Sequence, residues 1–196
     1  MNTKDKQLKN LADKIAKCTK CKDLTKSQRV FDKDGNADSS LVFIAEAPGK
    51  HEDKQGKPLV KDGKAGGFFA DVILKKMQLQ RESVFICNIL CCRPPNKNNP
   101  KKDRKPRQDE ANNCRWVLDQ TLEIIKPKFI CCLGRVAAQN FLKSKKNIGE
   151  LRGKVLDYDG FKVVCTYHPT SRIPAKEKFI REDIQRLMRA MEMKCR

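Results

Sequence analysis

The sequence predicts an α/β fold, a three-layer α/β/α sandwich around a central, mostly parallel four-stranded sheet. Two observations predict it. Short, uninterrupted apolar runs alternate along the chain with stretches whose apolar residues recur at helical spacing, and an unbroken apolar run is the pattern of a strand covered on both faces. That alternation also implies right-handed crossovers and helices on both sides of a parallel sheet.

The 196 residues contain no Gly/Ser-rich break and are read as one domain, with an N-terminal helix and cysteine pair over 1–40 and a basic insertion over 93–109. Leu8, Leu11, Ala12 and Ile15 give the first helix over 4–17, behind Thr3 as its candidate N-cap. A polar stretch to Ser40 includes the turn residues Asp34-Gly35-Asn36. Leu41-Val42-Phe43-Ile44-Ala45 predicts a buried strand, ended by Glu46-Ala47-Pro48-Gly49. Past a glycine-containing loop to Gly67, Phe68, Phe69, Val72, Ile73 and Met77 mark the inner face of a helix. The strand over 84–87 ends at Asn88, and a long polar insertion separates it from a helix over 110–125. A strand over 128–133, Gly134 and a helix over 136–142 follow. The arms 154–157 and 162–166 flank Asp159-Gly160 as a hairpin, and the second arm runs into Tyr167-His168-Pro169-Thr170. Apolar positions over 179–191 predict a closing C-terminal helix.

With 43 Lys and Arg against 24 Asp and Glu, the formal net charge is +19, a field that attracts polyanions and weakens as salt rises. Nucleic acid is the leading partner, although genome composition or thermophily also produces Lys-rich surfaces. No secretory h-region and no run of 18 apolar residues is present, which argues against export and against a spanning helix. The ten cysteines are therefore expected in a reducing compartment, where Cys18-Thr19-Lys20-Cys21 reads as a metal or redox pair.

In parallel α/β sheets ligands bind beyond the carboxyl ends of the strands. Glu46, Asn88, Gly134 with Arg135, and His168 stand there. Each has a plainer reading: His168 as a structural histidine, Asn88 as a turn cap, Glu46 as an acceptor for the Pro-Gly loop amides, Gly134 as a close-packing residue. Four thiolates would hold a cluster, and the candidates are Cys18, Cys21, one of Cys91 or Cys92, and Cys114 in the polar first turns of a helix. Zinc remains an alternative for the CxxC pair. Cys87, Cys131, Cys132 and Cys165 lie inside apolar strands and read as small buried hydrophobes.

The order Glu46-Ala47-Pro48-Gly49-Lys50-His51-Glu52-Asp53, Asn88 to Pro95 with its Cys-Arg-Pro-Pro, Glu110 with Cys114, Pro127-Lys128 to Leu133-Gly134, Arg152-Gly153 and His168-Pro169-Thr170 resembles the family 4 uracil-DNA glycosylases from Cys18 onward. The resemblance implies a monofunctional hydrolase of base excision repair that leaves an abasic site. It implies a structural 4Fe-4S cluster on Cys18, Cys21, Cys92 and Cys114, with Glu46 and His168 catalytic and Ala47, Leu59 and Asn88 around the base. His168 would donate to uracil O2, Asn88 would face O4 and N3-H together, and Glu46 would steer water or stabilise the cationic sugar. Uracil-containing DNA, single- or double-stranded, would be gripped by Arg93, Lys101, Lys102, Arg104, Arg135, Arg152 and Arg172. The chain is expected to act as a monomer, away from membranes, in the cytoplasm at the nucleoid.

Two departures stand out. Gly56-Lys57-Pro58-Leu59, with two extra residues before Gly63, has Leu59 where the family stacks uracil on a Phe, with Phe68 as a candidate substitute. Thr170-Ser171-Arg172-Ile173 replaces the family's serine and following wedge, leaving Arg172 or Ile173 to fill the vacated stack. These changes also admit a catalytically weakened uracil-DNA-binding protein that keeps fold and cluster. The segment 93–107 holds seven basic residues against Asp103 alone, and reads as a phosphate-gripping arm or a solvated loop. It contains no histidine, so the covalent DNA trapping of a related branch is not expected.

Overall fold

The structure, a computed structural model, describes residues 3–33, 35–170 and 174–192. Its strands β1 (Leu41–Ala45), β2 (Phe85–Asn88), β3 (Phe129–Leu133), β4 (Val155–Tyr158) and β5 (Phe161–Thr166) form one sheet in the order β2-β1-β3-β5-β4. The first four in that order run parallel, and β4 pairs antiparallel with β5 at the edge.

The expected sheet of four strands is therefore one strand short. The hairpin's first arm joins the sheet because Asp159 and Gly160 both have positive φ, 51° and 79°, which turns the chain tightly back alongside itself. β4 gave no apolar run because its residues alternate between exposed and half-buried on an edge.

Successive residues of β1 enter opposite cores. Val42 and Ile44 pack with Leu8 and Leu11 of α1 (Thr3–Ala16), Val117 and Leu118 of α5 (Gln108–Ile125) and Ala137 of α6 (Arg135–Phe141). Leu41 and Phe43 pack on the other face with Phe69 and Ile73 and with Ile180 and Ile184 of α8 (Pro174–Ala190). Phe69 and Ile73 belong to a π-helical segment (Phe69–Leu74) between α3 (Lys64–Phe68) and α4 (Lys75–Met77). Period-2 alternation in a strand buried on both sides thus yields the three expected layers.

Two short helices were not foreseen, although the sequence carries their caps. α2 (Lys50–Gln55) starts where the Glu52 carboxylate accepts from the Gly49 N–H at 3.2 Å. α7 (Ile148–Leu151) starts with a reciprocal box, Asn147 Oδ1 accepting from Glu150 N–H and Glu150 Oε2 from Asn147 N–H. α8 begins at Pro174 rather than 179, since proline is at home in a first helical turn. Among the described residues no helix is long and apolar enough to cross a membrane.

Candidate active site

The carboxyl ends of the strands open into a cleft of about 670 Å³ whose lining includes Glu46, Ala47, Leu59 and His168. The sheet builds it directly. Beyond their last paired residues, β1 and β2 remain tied by Ile89 N–H to Ala45 O (3.0 Å) and Leu90 N–H to Glu46 O (3.1 Å). Asn88, buried, is the register partner of Ala45, which lines the cleft, but Asn88 itself lines a small neighbouring recess with Phe31 and Pro58. Among the described residues, neither the Asn88 carboxamide nor the Glu46 carboxylate hydrogen-bonds to the protein.

His168 arrives on the loop after β5. Gly134 N–H donates to Thr166 O at 2.9 Å, which holds that loop beside the start of α6. A Cβ on Gly134 would lie 2.9 Å from the His168 Cβ, and its φ is +98°, so glycine is required by the close approach and by the backbone. The Thr170 N–H donates to His168 Nδ1 at 3.3 Å, with the Thr170 hydroxyl 2.8 Å from the same nitrogen. An Nδ1 that accepts leaves the proton on Nε2 as the free donor. The sequence reading gave Thr170 no role, although its place two residues after the histidine is the spacing of a local hydroxyl-to-ring contact.

Burial pulls the His168 pKa down to about 4, so the ring is neutral at physiological pH. Burial also raises Glu46 above the usual carboxylate range, while the positive charges of Lys105 and Arg135 pull the other way. Since the unfolded chain takes up the His168 proton at higher pH, the imidazole favours folding above about pH 6.5, and that contribution fades as pH falls towards about 4. The pH profile of activity is accordingly expected to show no inflection from His168 near pH 6.5, and an acid limb displaced upward by the burial of Glu46 that disappears in Glu46→Gln. A wild-type inflection near pH 6.5, absent in His168→Ala, would contradict the neutral ring.

Leu59 sits 8% exposed at φ +47°, an uncommon conformation for leucine. Its loop is pressed on α3, where a Cβ at Gly66 would lie 1.9 Å from Val60 O. Phe68 packs against the core rather than standing among the cleft-lining side chains.

The model of the uracil DNA glycosylase superfamily matches residues 33–192. A type-4 uracil-DNA glycosylase of Saccharolobus solfataricus is 35% identical over 194 residues, covering 94% of this chain and 86% of its own. One of Thermotoga maritima is 34% identical over 192 residues, covering 95% of both. A type-5 uracil-DNA glycosylase of Pyrobaculum aerophilum is 25% identical over 150 residues, covering 69% of this chain and 63% of its own.

The chain belongs to the uracil-DNA glycosylase superfamily.

Within this superfamily member, Cys18, Cys21, Cys92 and Cys114 line one small recess, with Cys91 and Trp116 beside them. Three separate segments supply them. Arg29 pins the first, donating to Cys18 O at 2.6 Å and pairing through its backbone with Cys92. Cys92 packs in a small apolar cluster with Cys21 and Cys114, whereas Cys91 belongs to the main core and donates its N–H to Cys114 Sγ at 3.3 Å. Among the described residues no disulfide forms, and no three His, Cys, Asp or Glu side chains gather closely enough to hold a single metal ion. Cys195 lies outside the described residues.

The basic insertion is a folded loop. Arg93 is held on Asp103, with Nη2 on Pro100 O, and Pro95 pairs with Asp103. Arg104 grips the buried Glu110 with both terminal nitrogens, at 2.7 and 2.8 Å. Arg107 and Lys97 both reach Asp23, just after the cysteine pair. Arginines expected at phosphates therefore shape the loop, while Lys101, Lys102, Lys105 and Arg135 stay exposed.

Arg152 is likewise turned inward, against expectation. Its fork takes both oxygens of the fully buried Asp183 (2.8 and 2.9 Å), with its guanidinium 4.3 Å from the Phe179 ring centroid. Asp183 also accepts from Gly153 N–H and the Thr166 hydroxyl, two residues before His168. The sequence held a signal for Asp183: it lies three residues after Ile180 and four before Leu187, on the buried stripe of α8. Arg172 and Ile173 lie outside the described residues.

Proposed function

We propose that this chain removes uracil from DNA by hydrolysing the N-glycosidic bond of deoxyuridine and leaves an abasic site for base excision repair. The observation that carries the reading is the placement of Glu46, Ala47, Leu59 and His168 around one cleft, with Asn88 at the adjoining strand end. A base stacked inside DNA cannot be reached, so the nucleotide must swing out into this cleft.

Water then adds at C1′ as the C1′–N1 bond breaks, and the electron pair leaves with uracil. The neutral His168 donates Nε2–H to O2, where that negative charge collects. Thr170 keeps the other ring nitrogen an acceptor. Glu46, its carboxyl raised by burial, takes the proton of the attacking water and stabilises the positive sugar. The free Asn88 carboxamide accepts from N3–H and donates to O4; cytosine presents the opposite pattern at both atoms and would leave buried groups unpaired. Lys101, Lys102 and Arg135 contact phosphates, while Arg93 and Arg104 hold the loop that presents them.

The thiols of Cys18, Cys21, Cys92 and Cys114 fit an all-sulfur 4Fe-4S site. Their spread is wider than one ion needs, and the Trp116 indole N–H at the same recess is buried without a partner, as suits a neighbour rich in sulfur acceptors. Such a cluster supplies a cross-link between the N-terminal segment, the loop after Asn88 and α5. Purified Cys92→Ala is expected to lose the broad visible absorbance of iron-sulfide, and Cys91→Ala to keep it. The reverse result would move the ligand to Cys91.

The direct test incubates purified, cluster-loaded protein with uracil-containing oligonucleotides, measures free uracil and cleaves the resulting abasic site with alkali. Loaded protein that binds these oligonucleotides and releases no uracil would overturn the reading.

A further inference from the structure

Among the described residues two buried side-chain nitrogens lack a hydrogen-bond partner, Arg104 Nε and Trp116 Nε1. The two differ in kind. Arg104 belongs to a fork whose terminal nitrogens both hold Glu110, so its charge is already answered. An indole has one donor and no acceptor, so Trp116, the only tryptophan of the chain, has no other polar contact to make. A buried donor left unmet is costly and rare in folded proteins, and one that persists points to an acceptor that the chain's own atoms do not supply.

Trp116 borders the recess that gathers Cys18, Cys21, Cys92 and Cys114. Apart from the Asn113 carboxamide, thiol sulfurs are the side-chain acceptors lining it. Other donors already turn to those sulfurs: Cys91 N–H to Cys114 Sγ at 3.3 Å, and Asn113 Nδ2 to Cys21 Sγ at 4.0 Å. Asn113 is oriented by a further bond from Nδ2 to Lys20 O at 3.3 Å. The loop of the cysteine pair also holds the indole, since Lys20, between Cys18 and Cys21, stands with Nζ 5.4 Å from the ring centroid. Asn113, Cys114 and Trp116 follow one another on α5, so a single helical turn carries one thiol and two N–H donors to the recess.

Resting on the iron-sulfur reading of the four thiols, we infer that Trp116 donates its indole N–H to a sulfur of that cluster and, with Asn113 and the Cys91 amide, sets its reduction potential. The reason is electrostatic. An added electron places negative charge on the sulfurs, and a donor aimed at sulfur favours that more negative state, which raises the potential. Hydrolysis of a glycosidic bond consumes no electron, so the donors serve to hold the cluster in one oxidation state rather than to feed the reaction. A tryptophan that only filled space would leave the potential where it is.

The single tryptophan makes the test specific. The full, cluster-loaded chain is labelled at the indole nitrogen with the heavy nitrogen isotope, reduced by one electron with dithionite and measured by pulsed EPR. A coupling between that nitrogen and the cluster spin is expected. Redox titration followed by visible absorbance then compares wild type with Trp116→Phe, which keeps a ring in the site and removes the N–H. The variant's equilibrium should shift about tenfold toward the oxidised state, which for one electron is a potential lower by about 59 mV. Loaded wild type without the coupling, or loaded Trp116→Phe with an unchanged potential, would overturn the inference and leave the cluster reading standing. If Trp116→Phe does not retain the cluster, the labelled wild type decides alone, and absence of the coupling counts against the inference. Purified protein free of iron and sulfide would overturn the cluster reading itself.

Discussion

Replacing His168 with alanine is expected to lower the single-turnover rate of uracil release by about 10²–10³, with little change in the affinity for uracil-containing DNA. The imidazole is neutral because burial holds its pKa down to about 4, so what is lost is a hydrogen bond to the leaving base rather than an ion pair. That donor matters most when the C1′–N1 bond is breaking and charge reaches O2, which places the effect in kcat. Thr170→Val should show a smaller loss of the same kind, since the backbone N–H to Nδ1 remains while the hydroxyl 2.8 Å away is removed. Rate measurements with binding followed by fluorescence anisotropy check both. Unaltered release by His168→Ala would remove the histidine from the reaction.

Replacing Asp183 with alanine is expected to destabilise the fold by roughly 3–5 kcal/mol, lowering the melting temperature by roughly 10 °C for a chain of this size. The residue is 0% exposed and accepts from Arg152 twice, from Gly153 N–H and from the Thr166 hydroxyl. Its removal strands a guanidinium whose side chain is only 13% exposed, with Glu182 at 3.8 Å as the remaining carboxylate nearby. An uncompensated buried charge is much more costly than the pair itself is favourable. Asp183→Asn keeps the shape and part of the hydrogen bonding, so a smaller loss is expected. Because Thr166 leads into the His168 loop, Asp183→Asn should also slow catalysis beyond what its stability explains. Thermal unfolding with activity assayed well below the transition tests both parts, and an Asp183→Ala melting point within a degree or two of wild type would refute the account.

The elements whose pattern is local were legible in advance. The runs of β1, β2 and β3 and the stripes of α1, α5 and α8 encode burial residue by residue, so layer order and a parallel sheet followed from the chain alone. β4 was not counted because an edge strand, half in solvent, carries little apolar signal. α2 and α7 are too short for periodicity, and only their capping residues mark them.

Charged residues were the harder reading. Arg93, Arg104 and Arg152 resemble Lys101 and Lys102 in the sequence, yet the first three are held on Asp103 and on the buried Glu110 and Asp183 while the lysines face outward. No periodicity distinguishes a guanidinium that meets Asp183 across 31 residues from one that meets phosphate.

The sequence by itself determined which residues end the buried strands, and hence that Glu46, Asn88 and His168 stand at the carboxyl edge of a parallel sheet. Only the tertiary structure decided that Thr170 holds the imidazole, that no Phe, Tyr or Trp side chain lines the cleft, and which cations remain exposed. The physical reason is range: strand ends are set by local hydrophobic pattern, whereas ion pairing and cavity lining depend on segments that meet only when the chain is folded.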